Sequence, residues 1–295
     1  MERSKREIVN SHGFTLIELL VSLVILAFVM LALYFLFDQS KWLYLAGERR
    51  SSIQDNGRIA LESMERELRM AGFGVPEGNC VTAGVTPATW TPVIFGAGSD
   101  YIWFRSDIDN NSTMLKLDAA TGATSLTVED AARVCPTAGS GYIVLERKLR
   151  RWQALTCTYV DSTTLTVDAL SAGFNAAESE VFTPEHIFYR LETNKTSACP
   201  NPGCLMRAEI AGNTVLSDDS SVGAGDWASL ATNISQFQIQ AFHLDGTALD
   251  LSDPTNYPKI ARLRIAIRTT DRSRGVGQTQ DFNLSSEILL RNSRL

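Results

Sequence analysis

Residues 14–37 form an uninterrupted apolar stretch of 24 residues in which Thr15, Glu18 and Ser22 are the polar exceptions. As a helix rising 1.5 Å per residue this stretch reaches about 36 Å, enough to cross a hydrocarbon core of about 30 Å. A segment in lipid must satisfy its own backbone polar groups, which restricts it to a helix. Glu18 does not suit a plain anchor. An ionisable side chain inside a spanning segment is costly, so it marks a functional residue whose partner has to be identified. Arg3, Lys5 and Arg6 precede the stretch, diluted by Glu2 and Glu7, and this short basic end is retained in the cytoplasm. The competing readings are a cleaved secretory signal and an uncleaved signal anchor. A cleaved signal needs a shorter apolar core and a small-residue site after it, and the continuation YLFDQSKWLYLAGERR offers no good one.

Beyond Phe37 the chain turns polar while keeping helical periodicity. Leu45, Ile53, Ala60, Met64 and Leu68 recur on a 3.6-residue period and make one apolar stripe. Glu62 with Arg66, and Glu65 with Arg69, stand in the favoured i, i+4 order. Gly47 and Gly57 weaken a helix by up to about 1 kcal/mol each, so bending or melting is expected there. Gly72, Gly74 and Pro76 stop it. The reading is one helix over about residues 14–71, apolar all round in residues 14–37 and amphipathic in residues 38–75.

The rest, residues 76–295, reads as strands with turn punctuation. Phe237, Ile239 and Ala241, then Ile260, Leu263, Ile265 and Ile267, mark apolar faces. One face of an antiparallel sheet is expected to cover the helical stripe. The segments TSLTVEDA from Thr124 and TTLTVDAL from Thr163 are weakly alike. They point to a strand-rich insertion, with its own hairpins, over residues 112–182.

A net charge of -6 argues against nucleic acid, which needs a basic face. The five cysteines lie on the exported side, where disulfides persist. The CPNPGC turn favours pairing of Cys199 with Cys204. Cys135 and Cys157 flank a strand-rich stretch and are a second candidate pair, with Cys80 left over, although spacing alone does not fix connectivity. No metal or cofactor site is expected, because His12, His186 and His243 do not stand beside a cysteine pair. No catalytic motif spacing occurs, and enzyme activity is not expected. Acidic loops starting at Asp107, Ser217 and Leu249 lack the full calcium-loop pattern and read as solvated turns. Trp103, Trp152 and Trp227 read as packing residues.

The string Gly13-Phe14-Thr15-Leu16-Ile17-Glu18, after a short basic leader and before an apolar helix, resembles the signal of type IV prepilins and type II secretion pseudopilins. The resemblance implies a prepilin leader over residues 1–13, cleavage by prepilin peptidase between Gly13 and Phe14, and methylation of the new amine at Phe14. It also implies that Glu18, with Thr15 beside it, forms the charge-pairing site used in assembly. The amine and the carboxylate lie four residues apart on one helix face and can compensate each other or pair between subunits.

The stretches QDNGRIALE from Gln54 and ELRMAGF from Glu67, with ILLRN from Ile288, are similar to PilW-type minor pilins, and the last also to J-type pseudopilins. The helix lacks the proline many major pilins carry, with Phe35 near that place, and the chain is about twice the size of a typical major pilin. The implied fold is α+β and pilin-like: a long N-terminal helix packed on an antiparallel sheet, with a strand-rich insertion. The implied partners are other minor pilins, the major pilin, prepilin peptidase and the inner-membrane assembly platform. The implied location is the inner membrane for the single-pass precursor, then the pilus or cell surface. A J-type pseudopilin and a membrane-anchored tip adhesin are the alternatives.

Overall fold

The computed structural model describes residues 15–75, 79–81, 94–135, 139–194, 199, 202–210, 222–223, 225–271 and 280–290. Two compact units divide between Ser51 and Ser52. Helix α1 (Leu16–Arg69) begins in the first unit and ends in the second. In the first unit residues 15–44 are all exposed, and Leu45, Ala46 and Arg50 are half-buried. No residue of its apolar window is buried, and this helix is long and apolar enough to cross a membrane.

In the second unit α1 buries Ile53, Gly57, Ala60, Leu61, Met64, Glu67 and Leu68. The apolar stripe read from the sequence thus continues through positions three and four apart. Gly57 does not interrupt the helix. A Cβ there would lie 2.7 Å from Thr269 Cγ2 and 2.9 Å from Leu284 Cδ1, so the glycine permits close approach of helix and sheet. Gly47 also lies within continuous helix, and a Cβ there would meet nothing within 4 Å. The expected melting at these glycines does not occur. Gly72 ends the helix with φ 81°, and its N–H donates to Arg105 O at 2.8 Å.

The strands follow in chain order. After β1 (Asn79–Cys80), β2 (Ile94–Ala97) and β3 (Tyr101–Ser106) start a five-stranded sheet. The chain then leaves it for β4 (Ser112–Met114), β5 (Ser125–Thr127), helix α2 (Ala131–Val134), β6 (Gly139–Glu146), β7 (Arg151–Asp161), β8 (Thr164–Val167) and β9 (Ser179–Phe182). It returns in β10 (Glu185–Glu192), which pairs antiparallel with β3, and continues into β11 (Cys204–Ile210) and β12 (Trp227–Thr232). A four-stranded antiparallel sheet completes the chain: β13 (Ile234–Phe242), β14 (Ala248–Leu249), β15 (Arg262–Asp271) and β16 (Gln280–Leu289).

The helical stripe is covered by two sheets rather than one face of one sheet. Ala60, Leu61, Met64 and Leu68 share a core with Phe104 of β3, Tyr189 of β10, Phe237 of β13 and Ile265 of β15. Fully burying a side chain of this kind contributes about 1.5–3 kcal/mol. This is a pilin-like α+β arrangement with additional strand-rich sheets.

Strands β4 to β9 have the order β4-β9-β6-β7-β8-β5. Leu115 bridges Val128, and Lys116 N donates to Thr127 O at 2.7 Å, so the first and last strands of that order meet. The sheet closes on itself as a small barrel, an arrangement that removes free edges. Its interior holds Leu126, Val144, Leu155, Leu165 and Val181. The two similar sequence segments turn out to be partners: Leu126 of β5 stands opposite Leu165 of β8. Strand β1 adds to β7 in parallel, with Cys80 opposite Trp152, so this sheet takes a strand from outside residues 112–182.

Candidate functional site

The side chain that singles out the N-terminal helix is Glu18. Thr15-Leu16-Ile17-Glu18 is a capping box, in which the threonine and the glutamate three residues on satisfy each other's backbone donors. Thr15 N donates to Glu18 Oε2 at 2.9 Å, and Thr15 Oγ1 donates to the same oxygen at 3.0 Å. Glu18 N in turn points at Thr15 Oγ1 at 3.4 Å, and Ser22 Oγ donates to Glu18 O at 2.7 Å. The carboxylate is therefore held locally at the N-terminal end of α1, where the helix dipole also favours negative charge. The T-x-x-E spacing could have revealed this box in the sequence. Gly13 and Phe14 lie outside the described residues.

A second carboxylate of α1 is handled differently. Glu67 is 5% exposed. It accepts from the Tyr189 hydroxyl of β10 and from Arg207 Nε of β11 at 3.1 and 3.0 Å. Arg207 Nη2 also donates to Glu209 at 2.7 Å. Burial and the neighbouring Glu67 charge push the Tyr189 hydroxyl upward, so it stays a donor. Burial works to lower Arg207, but the hydrogen bonds to Glu67 and Glu209 and the charges of Glu67 and Tyr189 raise it overall. This network fixes the register of the second half of α1 against the five-stranded sheet. The signal available in the sequence was a glutamate on the apolar stripe, between Met64 and Leu68.

Cys135 is joined to Cys157, with Cα atoms 6.4 Å apart, inside the barrel. Cys199 is joined to Cys204 at the start of β11, with Cα atoms 5.5 Å apart. Cys80 takes part in neither bridge and packs beside Trp152.

Trp103 and Arg105 of β3 and His186 of β10 form a buried polar cluster. Trp103 Nε1 donates to His186 Nδ1 at 3.0 Å, and Arg105 Nη2 lies 2.9 Å from His186 Nε2. Burial, then the Arg105 charge, lowers His186 to about 3, and burial lowers Arg105 to about 9. A neutral imidazole held that low is a poor general base near pH 7. Among the described residues no group of three or more His, Cys, Asp or Glu could hold a metal ion. Asp107, read as part of a solvated acidic turn, is buried. Trp103 and Trp152 are buried in packing clusters, and Trp227 is partly buried beside Phe188.

The prokaryotic N-terminal methylation motif matches residues 8–34. That span takes in Thr15, Glu18 and most of the exposed apolar helix. No curated protein and no solved structure matches the chain.

Proposed function

We propose that this chain, whose residues 8–34 match the prokaryotic N-terminal methylation motif, is a structural protein of the type IV prepilin and pseudopilin family and, within it, a minor pilin of a type IV pilus. The motif implies processing by prepilin peptidase and assembly with other pilins. In this reading the peptidase cuts between Gly13 and Phe14, the new amine is methylated, and the subunit primes assembly or sits at the pilus tip. The precursor crosses the inner membrane once, with residues 38–295 outside the cytoplasm, and its partners are other minor pilins, the major pilin and the assembly platform.

The observation that carries the proposal is the pairing of Glu18 with Thr15 on an apolar helix of which no residue in its apolar window is buried. An apolar face of that extent has to be covered by lipid or by other subunits. Cutting after Gly13 would place a charged amine one residue before Thr15, close in sequence to the carboxylate. The Glu18 oxygen can then exchange the Thr15 N–H for an amine, its own or a neighbour's, which disfavours docking that leaves either charge alone.

The test is incorporation. Glu18→Ala is expected to insert and be cut normally yet enter filaments poorly, and normal incorporation would remove the pairing argument. The closed barrel of β4 to β9 favours a second reading, a tip-binding module. Deleting residues 112–182 separates the two: surviving piliation with lost attachment supports binding, whereas lost piliation supports assembly. A J-type pseudopilin differs in its machinery and would rescue secretion rather than piliation.

A further inference from the structure

Two crossings join strands β4 to β9 to the five-stranded sheet. Residues 107–111 lead from β3 into β4, and residues 183–184 lead from β9 back into β10. A buried carboxyl sits at each crossing: Asp107 is 2% exposed and Glu185 is 6% exposed. They are neighbours across the β3–β10 ladder, in which Glu185 stands opposite Ser106.

Each carboxyl holds the outgoing crossing. Ile108 N donates to Glu185 Oε2 at 3.2 Å, and Asn111 N donates to Asp107 Oδ1 at 2.8 Å. The same point is fastened to the turn that ends α1. Asp107 N donates to Phe73 O at 2.9 Å, and Ser106 Oγ donates to Met70 O at 2.8 Å. Gly74, with φ +73°, allows the close approach, since a Cβ there would lie 2.7 Å from Asp107 Cβ.

The surrounding charges do little to offset two carboxylates. Asp107 faces Glu180 of β9, Asp109 of its own crossing and Arg133 of α2. Glu185 faces Asp107 and Glu209 of β11, and Glu209 is engaged by Arg207. Burial and like charge both favour the protonated form of such groups.

We propose that Asp107 and Glu185 form a protonation-controlled clasp at the neck of the barrel. With a proton held by either carboxyl, the outgoing crossing stays fastened to β10 and to the end of α1. Once that proton passes to a base in the medium, two adjacent buried carboxylates repel and the barrel's attachment loosens. Burial is the largest cause raising both groups, Asp107 to about 6 and Glu185 to about 8. The unfolded values lie near 3.9 and 4.3. The folded state therefore binds more protons, and the clasp is strongest below about pH 4 and is lost as pH rises through about 6 to 8. The device is independent of N-terminal processing and holds for any exported role of the chain.

Hydrogen–deuterium exchange of the full chain in detergent tests it, with rates corrected for the intrinsic effect of pH. Protection of the 107–115 and 179–187 peptides is expected to fall at least about tenfold between pH 5 and pH 9, the effect of one unit of pKa displacement. The 58–68 peptide should not change. Glu185→Gln keeps the shape without the titration and should hold its protection across the range. Equal protection of wild type at both pH values overturns the proposal, as does a fall in Glu185→Gln as large as in wild type. Asp107→Asn supplies the same arm if Glu185→Gln does not fold, and the wild-type series decides by itself if neither variant folds.

Discussion

Two glutamates on one helix have opposite fates. Glu67 is enclosed and bonded by Tyr189 and Arg207 of the five-stranded sheet, whereas Glu18 is exposed and bonded within its own first turn by Thr15. The apolar residues around them follow the same division: Met64 and Leu68 are fully buried, while Leu16 is 81% exposed and Ile17 69%. The second half of α1 has found its packing inside this chain. Among the described residues the apolar window of the first half stays exposed, and in the proposed function a membrane or other subunits cover it. In the proposed function, the contrast separates residues that stabilise the subunit from residues that act between subunits.

The largest effect expected from breaking this contrast is at Glu67. Glu67→Ala leaves the Arg207 charge and the Tyr189 hydroxyl without their buried acceptor, and should lower stability by about 3–5 kcal/mol in denaturant unfolding. Loss of the Cys135–Cys157 bridge, which spans 22 residues, should cost about 3 kcal/mol on a chain-entropy estimate. That is more than removal of Cys199–Cys204, which spans 5 residues. Thermal unfolding of the two double Cys→Ala variants compares them.

The two helical glycines give smaller effects of opposite sign. Gly57→Ala gains helix propensity but drives a methyl into Thr269 and Leu284, for a net loss of about 1–3 kcal/mol. Gly47→Ala meets open space and should stabilise the first half of the helix by up to about 1 kcal/mol, read as increased helicity by circular dichroism. Equal signs at the two sites would remove the distinction between the halves. The smallest effect on folding is expected at Glu18. Glu18→Ala loses an exposed capping contact and should leave the unfolding midpoint of the second unit within about 0.5 kcal/mol of wild type.

Much of this division was legible in the sequence, because periodicity reports burial directly. The all-round apolar run, the stripe through Ile53, Ala60, Met64 and Leu68, and the alternation of Phe237, Ile239 and Ala241 are local patterns. Strands β11 and β12 were not legible. CLMRAEI and WASLAT lack the β-branched alternation of a strand, and CLMRAEI is rich in helix formers. The pairing of β11 with β10, in seven consecutive pairs, and of β12 with β11 decides their state, an instance of tertiary context overriding propensity. Barrel closure was equally hidden, since it rests on the contact of Leu115 with Val128. Asp107 reads as part of a solvated acidic turn, and neither Glu67 nor Glu185 is singled out as buried by the sequence, whereas specific partners bury all three. At Glu18 the anomaly and its neighbour Thr15 were both visible, whereas the capping box that joins them was not read from the T-x-x-E spacing.

In the proposed function the first half of α1 is the processed, assembly-directed half of a prepilin. Mass spectrometry of the mature amino terminus, on protein recovered from its own host, tests this most directly. The account predicts a chain beginning at a methylated Phe14. A mature protein that retains Met1 through Gly13 would contradict it.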